Sequence, residues 1–387
     1  MTAGIPERFP SRGHVLIAGG GVAALEAALA LRELAGDRLT VTLLAPDRHF
    51  TYRPLSVAEP FDLGHATRYE LQAIGADRGF AVVHDTLAAV EPEEHRVLTD
   101  AGDRIGYDRL VLALGARPRI AIAGAIAFRG PQDARRIAAG LRELGTRRLV
   151  VFAVPPMPAW TLPIYELALL TARWARPQKR RLELTIVSPE SRPLEVFGGR
   201  ASAEVQALLE QAGISFRGGA APRDVVDGAL ELGGDERLAA DLVIALPRLD
   251  GPAVRGLPHD ARGFVDVDDF CRVIGMDDVY AVGDMTSSPV KQGGLAAQQA
   301  VTAATAIAFA AGADVAPHPY EPVLRAELLT GETPRWLRAE GGASELSSGD
   351  APWWPPHKIA TRYLAPYLGG EGGAAVVAGS VIAPGRG

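Results

Sequence analysis

His14-Val15-Leu16-Ile17-Ala18-Gly19-Gly20-Gly21-Val22-Ala23-Ala24-Leu25-Glu26-Ala27-Ala28-Leu29-Ala30-Leu31-Arg32-Glu33-Leu34 changes its period partway along. An apolar run over residues 14–18 stops at three glycines and resumes over 22–34 with apolar residues at helical spacing, which predicts strand, tight turn and helix. Residues 39–44, Leu39-Thr40-Val41-Thr42-Leu43-Leu44, follow as a β-rich strand. The opening is thus a βαβ unit, which feeds a parallel sheet. Gly19-Gly20-Gly21-Val22-Ala23-Ala24 has the spacing G-x-G-x-x-A, in which bare backbone and the start of a helix receive a pyrophosphate. A glycine turn that packs without a ligand is the plain alternative, and the strand before and helix after weigh against it. The acidic residue that ordinarily meets the ribose closes the second strand, but here the register places Ala45 there and leaves Asp47, two residues on, as its substitute.

The same layout recurs further along. Residues 148–154 read as a strand, 163–174 as a helix and 182–187 as a strand, followed by Ser188-Pro189-Glu190 where the first copy has Ala45-Pro46-Asp47. Each copy closes with a similar strand, 107–114 and 240–246, the first running into Gly115-Ala116-Arg117-Pro118. A later strand, 279–282, ends in Gly283-Asp284 and reads as a return to the first sheet, before an alanine-rich helix that begins near Gly294. From Tyr320 short β-like runs, 323–329 and 335–339, precede a Gly/Ser loop and Trp353-Trp354-Pro355-Pro356. The expected fold class is α/β, with two Rossmann-like dinucleotide-binding domains and a small α+β C-terminal module. The second domain, 123–250, is inserted in the first, 1–122 with 251–318, and the module covers 319–387.

Composition narrows the classes. In 387 residues, 48% hydrophobic and 22% charged with 43 Gly and 29 Pro, the balance is that of a globular protein rich in tight turns. Forty Lys and Arg against 46 Asp and Glu leave a net charge of -6, so no basic excess exists to neutralise nucleic acid. Cys271 is the only cysteine, which rules out an internal disulfide and a multi-cysteine metal site, and the eight histidines lie too far apart for a local metal motif. Neither a signal-peptide core in residues 1–12 nor an apolar run of about eighteen residues occurs, and a cytoplasmic protein is expected.

Val279-Tyr280-Ala281-Val282-Gly283-Asp284 joins a buried strand to a carboxylate at its carboxyl end, placed to accept a hydrogen bond from a ribityl hydroxyl, with Gly283 allowing close approach. Together with Tyr107-Asp108-Arg109-Leu110-Val111-Leu112-Ala113-Leu114-Gly115-Ala116 and the glycine turn, it resembles the FAD-binding signatures of the pyridine nucleotide-disulfide oxidoreductase superfamily, from about residue 14 to 367. Three further segments resemble sulfide:quinone oxidoreductases and type II NADH dehydrogenases: Phe50-Thr51-Tyr52-Arg53-Pro54-Leu55, Pro193-Leu194-Glu195-Val196-Phe197-Gly198 and Lys291-Gln292-Gly293-Gly294.

The resemblance implies non-covalent FAD held by Gly19, Gly20, Gly21, Val22, Ala23, Ala24, Ala113, Leu114, Gly115, Gly283 and Asp284, with Arg53-Pro54 beside the isoalloxazine. It places Lys291 and the helix start at Gly294 opposite the flavin N1 and O2, where a cation and a positive helix end stabilise the reduced ring. A solvated surface lysine is the alternative for Lys291. The implied activity takes hydride from NAD(P)H at flavin N5 and passes electrons to a quinone-like or other small acceptor. Glu166 aligns with a glutamate on the nicotinamide side, where it would orient the donor or manage the N5 proton. A first-turn position after Pro163 would favour Glu166 for dipole reasons alone, and the two readings stand level. Tyr165 and Trp160 read equally as packing or as stacking residues.

Two departures stand against the likeness. Electron transfer through a covalent sulfur adduct needs a pair of thiols, so with Cys271 alone, read as a small buried hydrophobe, the cysteine mechanism is excluded. The second unit's loop reads Val154-Pro155-Pro156-Met157-Pro158-Ala159-Trp160-Thr161-Leu162-Pro163, and its four prolines offer a phosphate no amide hydrogen. Either the unit binds nicotinamide dinucleotide in a modified way, or the loop is a relic that covers the flavin. Glu190 reads as a partner of the adenosine ribose, favouring NAD over NADP, or as a solvated loop residue.

Trp353-Trp354-Pro355-Pro356-His357-Lys358 with Tyr363, Leu364, Tyr367 and Leu368 reads first as a packed aromatic lid, and by resemblance as a quinone entry with weak membrane contact. No amphipathic membrane helix is evident in 369–387. Placement at the inner face of the membrane and a homodimer stay open. Two rivals remain beside the NAD(P)H oxidoreductase: a flavoprotein oxidising a small organic or sulfur substrate without nicotinamide, and a non-catalytic flavin-binding electron-transfer protein.

Overall fold

The computed structural model describes residues 13–145, 147–157, 159–341, 343–348, 351–353 and 357–370. The expectations for residues 1–12, Pro158, Trp354-Pro355-Pro356 and 371–387 fall outside them.

The opening strand Gly13–Ala18 sits at the centre of a five-stranded sheet in the order Val279–Ala281, Arg109–Leu112, Gly13–Ala18, Leu39–Leu44, Ala81–Val83, every pair parallel. A second five-stranded parallel sheet runs Ile126–Ala127, Leu242–Ala245, Arg147–Ala153, Arg181–Val187 and Ile214–Arg217; its last four strands repeat the order of the first sheet, whereas its edge strand precedes them in the chain instead of following them. Both central strands are continuous apolar runs because both faces of each sheet are covered; Val15, Leu16, Ile17, Val150, Phe152 and Ala153 are fully buried.

Backbone hydrogen bonds fix how the two units correspond. Gly19 N bonds Leu44 O at 2.8 Å, as Val154 N bonds Val187 O at 2.9 Å, and Ala45 N bonds Val83 O at 3.0 Å, as Ser188 N bonds Arg217 O at 3.0 Å. Val154 therefore stands where Gly19 does, and Glu190 where Asp47 does.

Alanines dominate where the glycine-loop helix Val22–Ala35 meets the late helix Gly293–Ala310, and Ala24, Ala27, Ala28, Ala300, Ala303 and Ala304 are fully buried. Small side chains let the two backbones approach closely, and Gly283 fits between them. A Cβ there would lie 3.2 Å from Ala296 Cβ and 3.3 Å from Ala23 Cβ.

An antiparallel sheet of Leu324–Leu328, Arg335–Glu340 and Ala343–Ser348 packs on the second unit, where Leu324, Leu328 and Leu337 share a core with Tyr165 and Leu167. A strap, 357–370, then crosses to the first unit. Lys358 pairs with Glu166, Ile359 N donates to Tyr52 OH at 3.1 Å, and Arg78 lies 4.6 Å over the Tyr367 ring. Between these points Arg362, Tyr363 and Leu364 donate their amides to the buried Glu26 carboxylate at 2.7, 3.0 and 2.7 Å. No helix among the described residues is long and apolar enough to cross a membrane.

Candidate functional site

In the first unit the glycine turn is forced by crowding. Gly19 has φ +133°, and a Cβ on it would lie 2.2 Å from the Ala113 carbonyl oxygen, at the end of the neighbouring strand. A Cβ on Gly21 would meet nothing, so the turn is open on the side where helix Val22–Ala35 begins. That helix starts without a side-chain cap, which leaves its first amides to an outside acceptor. Ala24 is fully buried behind the turn, Val22 and Leu114 are half-buried, and Gly115 turns the chain with φ +69°. Asp47 is exposed and has no partner among the described residues.

Asp284 lies recessed at the carboxyl end of Val279–Ala281 and carries no hydrogen bond from any described residue. Burial pushes its carboxyl up to about 6, with the Lys291 ammonium pulling the other way. An open glycine turn, an uncapped helix start and a recessed carboxylate with free acceptor positions together fit a flavin dinucleotide: phosphates at Gly21, ribityl hydroxyls at Asp284.

Lys291 is only 7% exposed, which overturns the solvated alternative. Its Nζ donates to Thr286 O and lies 4.0 Å from the centre of the Phe264 ring, while burial pulls its ammonium down to about 8 against the opposing pull of Asp284. The helix start is shared with Gln292, whose Oε1 accepts from Leu295 N at 2.9 Å and shields Gly294. Arg53 is exposed, and Pro54 opens the short 3-10 helix Pro54–Phe61.

The second unit holds a cleft of about 510 Å³ lined by Ala159, Trp160, Thr161, Glu190, Arg192, Glu195, Val196 and Val290. Glu190 is 5% exposed, so it is no solvated loop residue. Its carboxylate accepts from Thr161 Oγ1 at 3.1 Å, Tyr165 OH at 2.7 Å and Ser188 Oγ at 3.0 Å. Burial raises its pKa above the usual carboxylate range, and these three hydroxyls lower it again. Tyr165 is fully buried, stacks on Phe216 with ring centres 6.3 Å apart and donates its hydroxyl to Glu190, a packing position. Trp160 packs edge-on to Phe197 at 6.0 Å and lines the cleft. Pro155 is buried at the start of the loop, and Met157 projects into solvent with φ +55°.

Glu166, expected on the donor side, faces elsewhere. It is 1% exposed, pairs with Lys358 of the strap and accepts from Leu329 N at 2.9 Å. Its helix position is four residues past the start of Leu162–Ala175, which turns it toward the C-terminal module and away from the cleft. Burial raises the Glu166 carboxyl and the Lys358 charge opposes that shift; the half-buried Glu327 is raised by burial in the same cluster. Cys271 is 1% exposed, and burial pushes its thiol well above the usual range.

The sequence matches the family described as pyridine nucleotide-disulphide oxidoreductase over residues 13–152 and 165–306. The break between them, 153–164, is the proline-rich loop. The chain is 28% identical over 298 residues to an NADH dehydrogenase-like protein of Mycobacterium tuberculosis, covering 71% of this chain and 73% of that one. Among solved structures it is similar to the sulfide:quinone oxidoreductase of the hyperthermophilic bacterium Aquifex aeolicus, with TM-score 0.80, 19% identity and 87% of each chain covered. It is also similar to a ferredoxin reductase from Rhodopseudomonas palustris, with TM-score 0.64, 20% identity and coverage of 87% of this chain and 91% of that one. With the glycine turn, the recessed Asp284 and the paired parallel sheets already in place, the match over most of its length makes this chain a member of the pyridine nucleotide-disulphide oxidoreductase family, a FAD-dependent oxidoreductase.

Proposed function

We propose that the protein takes a hydride from NAD(P)H and passes the electrons to a quinone-like or other small acceptor, without a cysteine relay. The observation that supports the reading is the cleft itself: its lining takes in Glu190 of the second unit and Val290 of the first, the residue before Lys291. When bound, FAD supplies the two-electron chemistry, accepting hydride and releasing electrons. Gly19 and the uncapped helix start orient its phosphates, and Asp284 accepts its ribityl hydroxyls. Lys291 holds positive charge beside Asp284 in a buried setting, where such charge favours an anionic reduced ring. Glu190 orients the donor's ribose, and Trp160 covers it.

On the strap side, Glu166 and Glu327, whose carboxyls burial pushes above the usual range, cluster with Lys358 near Tyr52. A two-electron acceptor such as a quinone takes up two protons as it is reduced, and this cluster is placed to hand them over. We assign the far side of the site to the acceptor on that ground. The aromatic residues Trp336 and Trp353, edge-to-face at 5.0 Å, pack as part of the lid.

Steady-state turnover of the purified protein with NADH or NADPH against short-chain quinones and dyes tests this. Turnover with one nicotinamide and a quinone is expected. Turnover with a small organic or sulfur donor and none with either nicotinamide would replace the donor; absence of turnover with every pair would leave an electron-transfer protein.

A further inference from the structure

We propose that Gln299 is a positioning residue for the flavin: from the late helix Gly293–Ala310 it fixes the Gly283-Asp284 turn and, through Thr286, the ammonium of Lys291, and so sets how strongly the reduced ring is favoured over the oxidised one. This role rests on the flavin contacts proposed for Asp284 and Lys291, and goes further by naming what aims them.

Gln299 is out of keeping with its surroundings. It is 2% exposed and is the one polar side chain among the buried residues of its helix, where Ala296, Ala300, Ala303 and Ala304 share a core with the glycine-loop helix. Burying an amide group is costly unless both of its ends find partners. Here both do, and the partners lie in one segment. Gln299 Oε1 accepts from Gly283 N at 2.7 Å, sixteen residues back in the chain, and Nε2 donates to Ser288 Oγ at 3.0 Å. A backbone N–H needs an acceptor, so the side-chain amide is seated with its oxygen toward Gly283.

Gly283 has need of that acceptor. The strand before it ends as Val282 N bonds Leu112 O at 2.9 Å, and Gly283 then turns out of the sheet with φ +77°. On its other side Gly283 O accepts from Thr286 N at 3.1 Å and from Thr286 Oγ1 at 2.9 Å, while Thr286 O accepts in turn from Lys291 Nζ. Gln299, Gly283, Thr286 and Lys291 thus form one connected series of hydrogen bonds, with Thr286 fully buried. The Asp284 carboxylate has no hydrogen-bond partner among the described residues, so the turn that carries it decides where it points. Gln299 acts through the groups it holds, and touches neither the ring nor the ribityl chain.

The flavin-loaded variants Gln299→Met, Thr286→Val, Gln298→Met and Lys291→Met test this, each read by spectroelectrochemical reduction potential, FAD Kd on reconstitution and Tm. Gln299→Met is expected to weaken oxidised FAD about tenfold, because the Gly283 amide loses its acceptor. Reduced FAD weakens about a hundredfold, since the cation is also misplaced, and that tenfold difference lowers the two-electron potential by about 30 mV. Thr286→Val, nearly the same in volume, cuts the next link and shifts the potential the same way; it decides the matter where Gln299→Met does not fold. Gln298 is the control. It is the neighbouring residue with equivalent bonds, Nε2 to Val323 O at 2.8 Å and Oε1 from Val323 N at 2.9 Å, but these hold the C-terminal module. Gln298→Met is expected to lower Tm and leave potential and Kd at their wild-type values. Equal shifts in Gln298→Met, or Gln299→Met and Thr286→Val enzymes with wild-type potential and Kd, would overturn the proposal. Lys291→Met separates it from the reading beneath: a lowered potential there alone keeps the lysine's role and removes that of Gln299, whereas a wild-type potential in Lys291→Met removes both.

Discussion

Gly19→Ala is expected to destabilise the protein by about 3 kcal/mol, because it strains a positive-φ position and drives a methyl into backbone. Chemical denaturation of the two proteins measures it. Asp284 carries a pH prediction. Its folded-state pKa is raised from 3.8 to about 6, so the flavin-free fold is penalised where the group is ionised: its stability rises as pH falls from about 6 toward 3.8. Flavin affinity runs the opposite way and drops on acidification through about 6, as the acceptor carboxylate takes a proton. Asp284→Asn removes that pH dependence and weakens FAD by about tenfold, read from flavin fluorescence on reconstitution. At this scale the chemistry-bearing residues on strand ends were legible, because a turn after an apolar run marks the ligand edge of a parallel sheet. Their partners were not. Thr161, Tyr165 and Ser188 converge on Glu190 only once the second sheet is assembled, and the pairing of Glu166 with Lys358 was hidden because the sequence does not say which face of its helix meets the strap.

The strap depends on one carboxylate. Glu26 sits fully buried in the glycine-loop helix and holds three consecutive amides of the chain, the last of them 338 residues away. Glu26→Ala is expected to cost about 2 kcal/mol and to speed hydrogen exchange at residues 362–364, with a smaller effect for Glu26→Gln, which keeps one acceptor oxygen. Unchanged protection there would show that packing of Leu364 and Tyr367 alone holds the segment. No local pattern could have revealed this anchor, since its two halves lie at opposite ends of the chain. Elements whose signal is local fared better. Leu39–Leu44 has the bounds expected for it, and the helix expected over 163–174 runs Leu162–Ala175, because each is an apolar pattern closed by turn residues or proline.

Across the whole molecule the two sheets share the order of four strands, yet their ligand edges have diverged: the first keeps bare glycines, while the second exchanges them for a proline loop and keeps its acid. The duplication was readable from Ala45-Pro46-Asp47 and Ser188-Pro189-Glu190, whereas the joining of both units by the strap was not. The division of labour predicts split half-reactions. Lys358→Met is expected to slow reoxidation of the reduced enzyme by a quinone about a hundredfold, in rapid mixing, while reduction by the donor proceeds. Equal slowing of both halves would mean that the Glu166–Lys358 pair holds the units in place and serves no proton transfer. The central step is the entry of electrons into a flavin in the first unit from a nucleotide in the second. Anaerobic titration of the purified protein with NADH and then NADPH, followed by the flavin's visible absorbance, addresses that step alone. Stoichiometric bleaching by at least one of them is the predicted result; a flavin spectrum that neither changes would contradict the account.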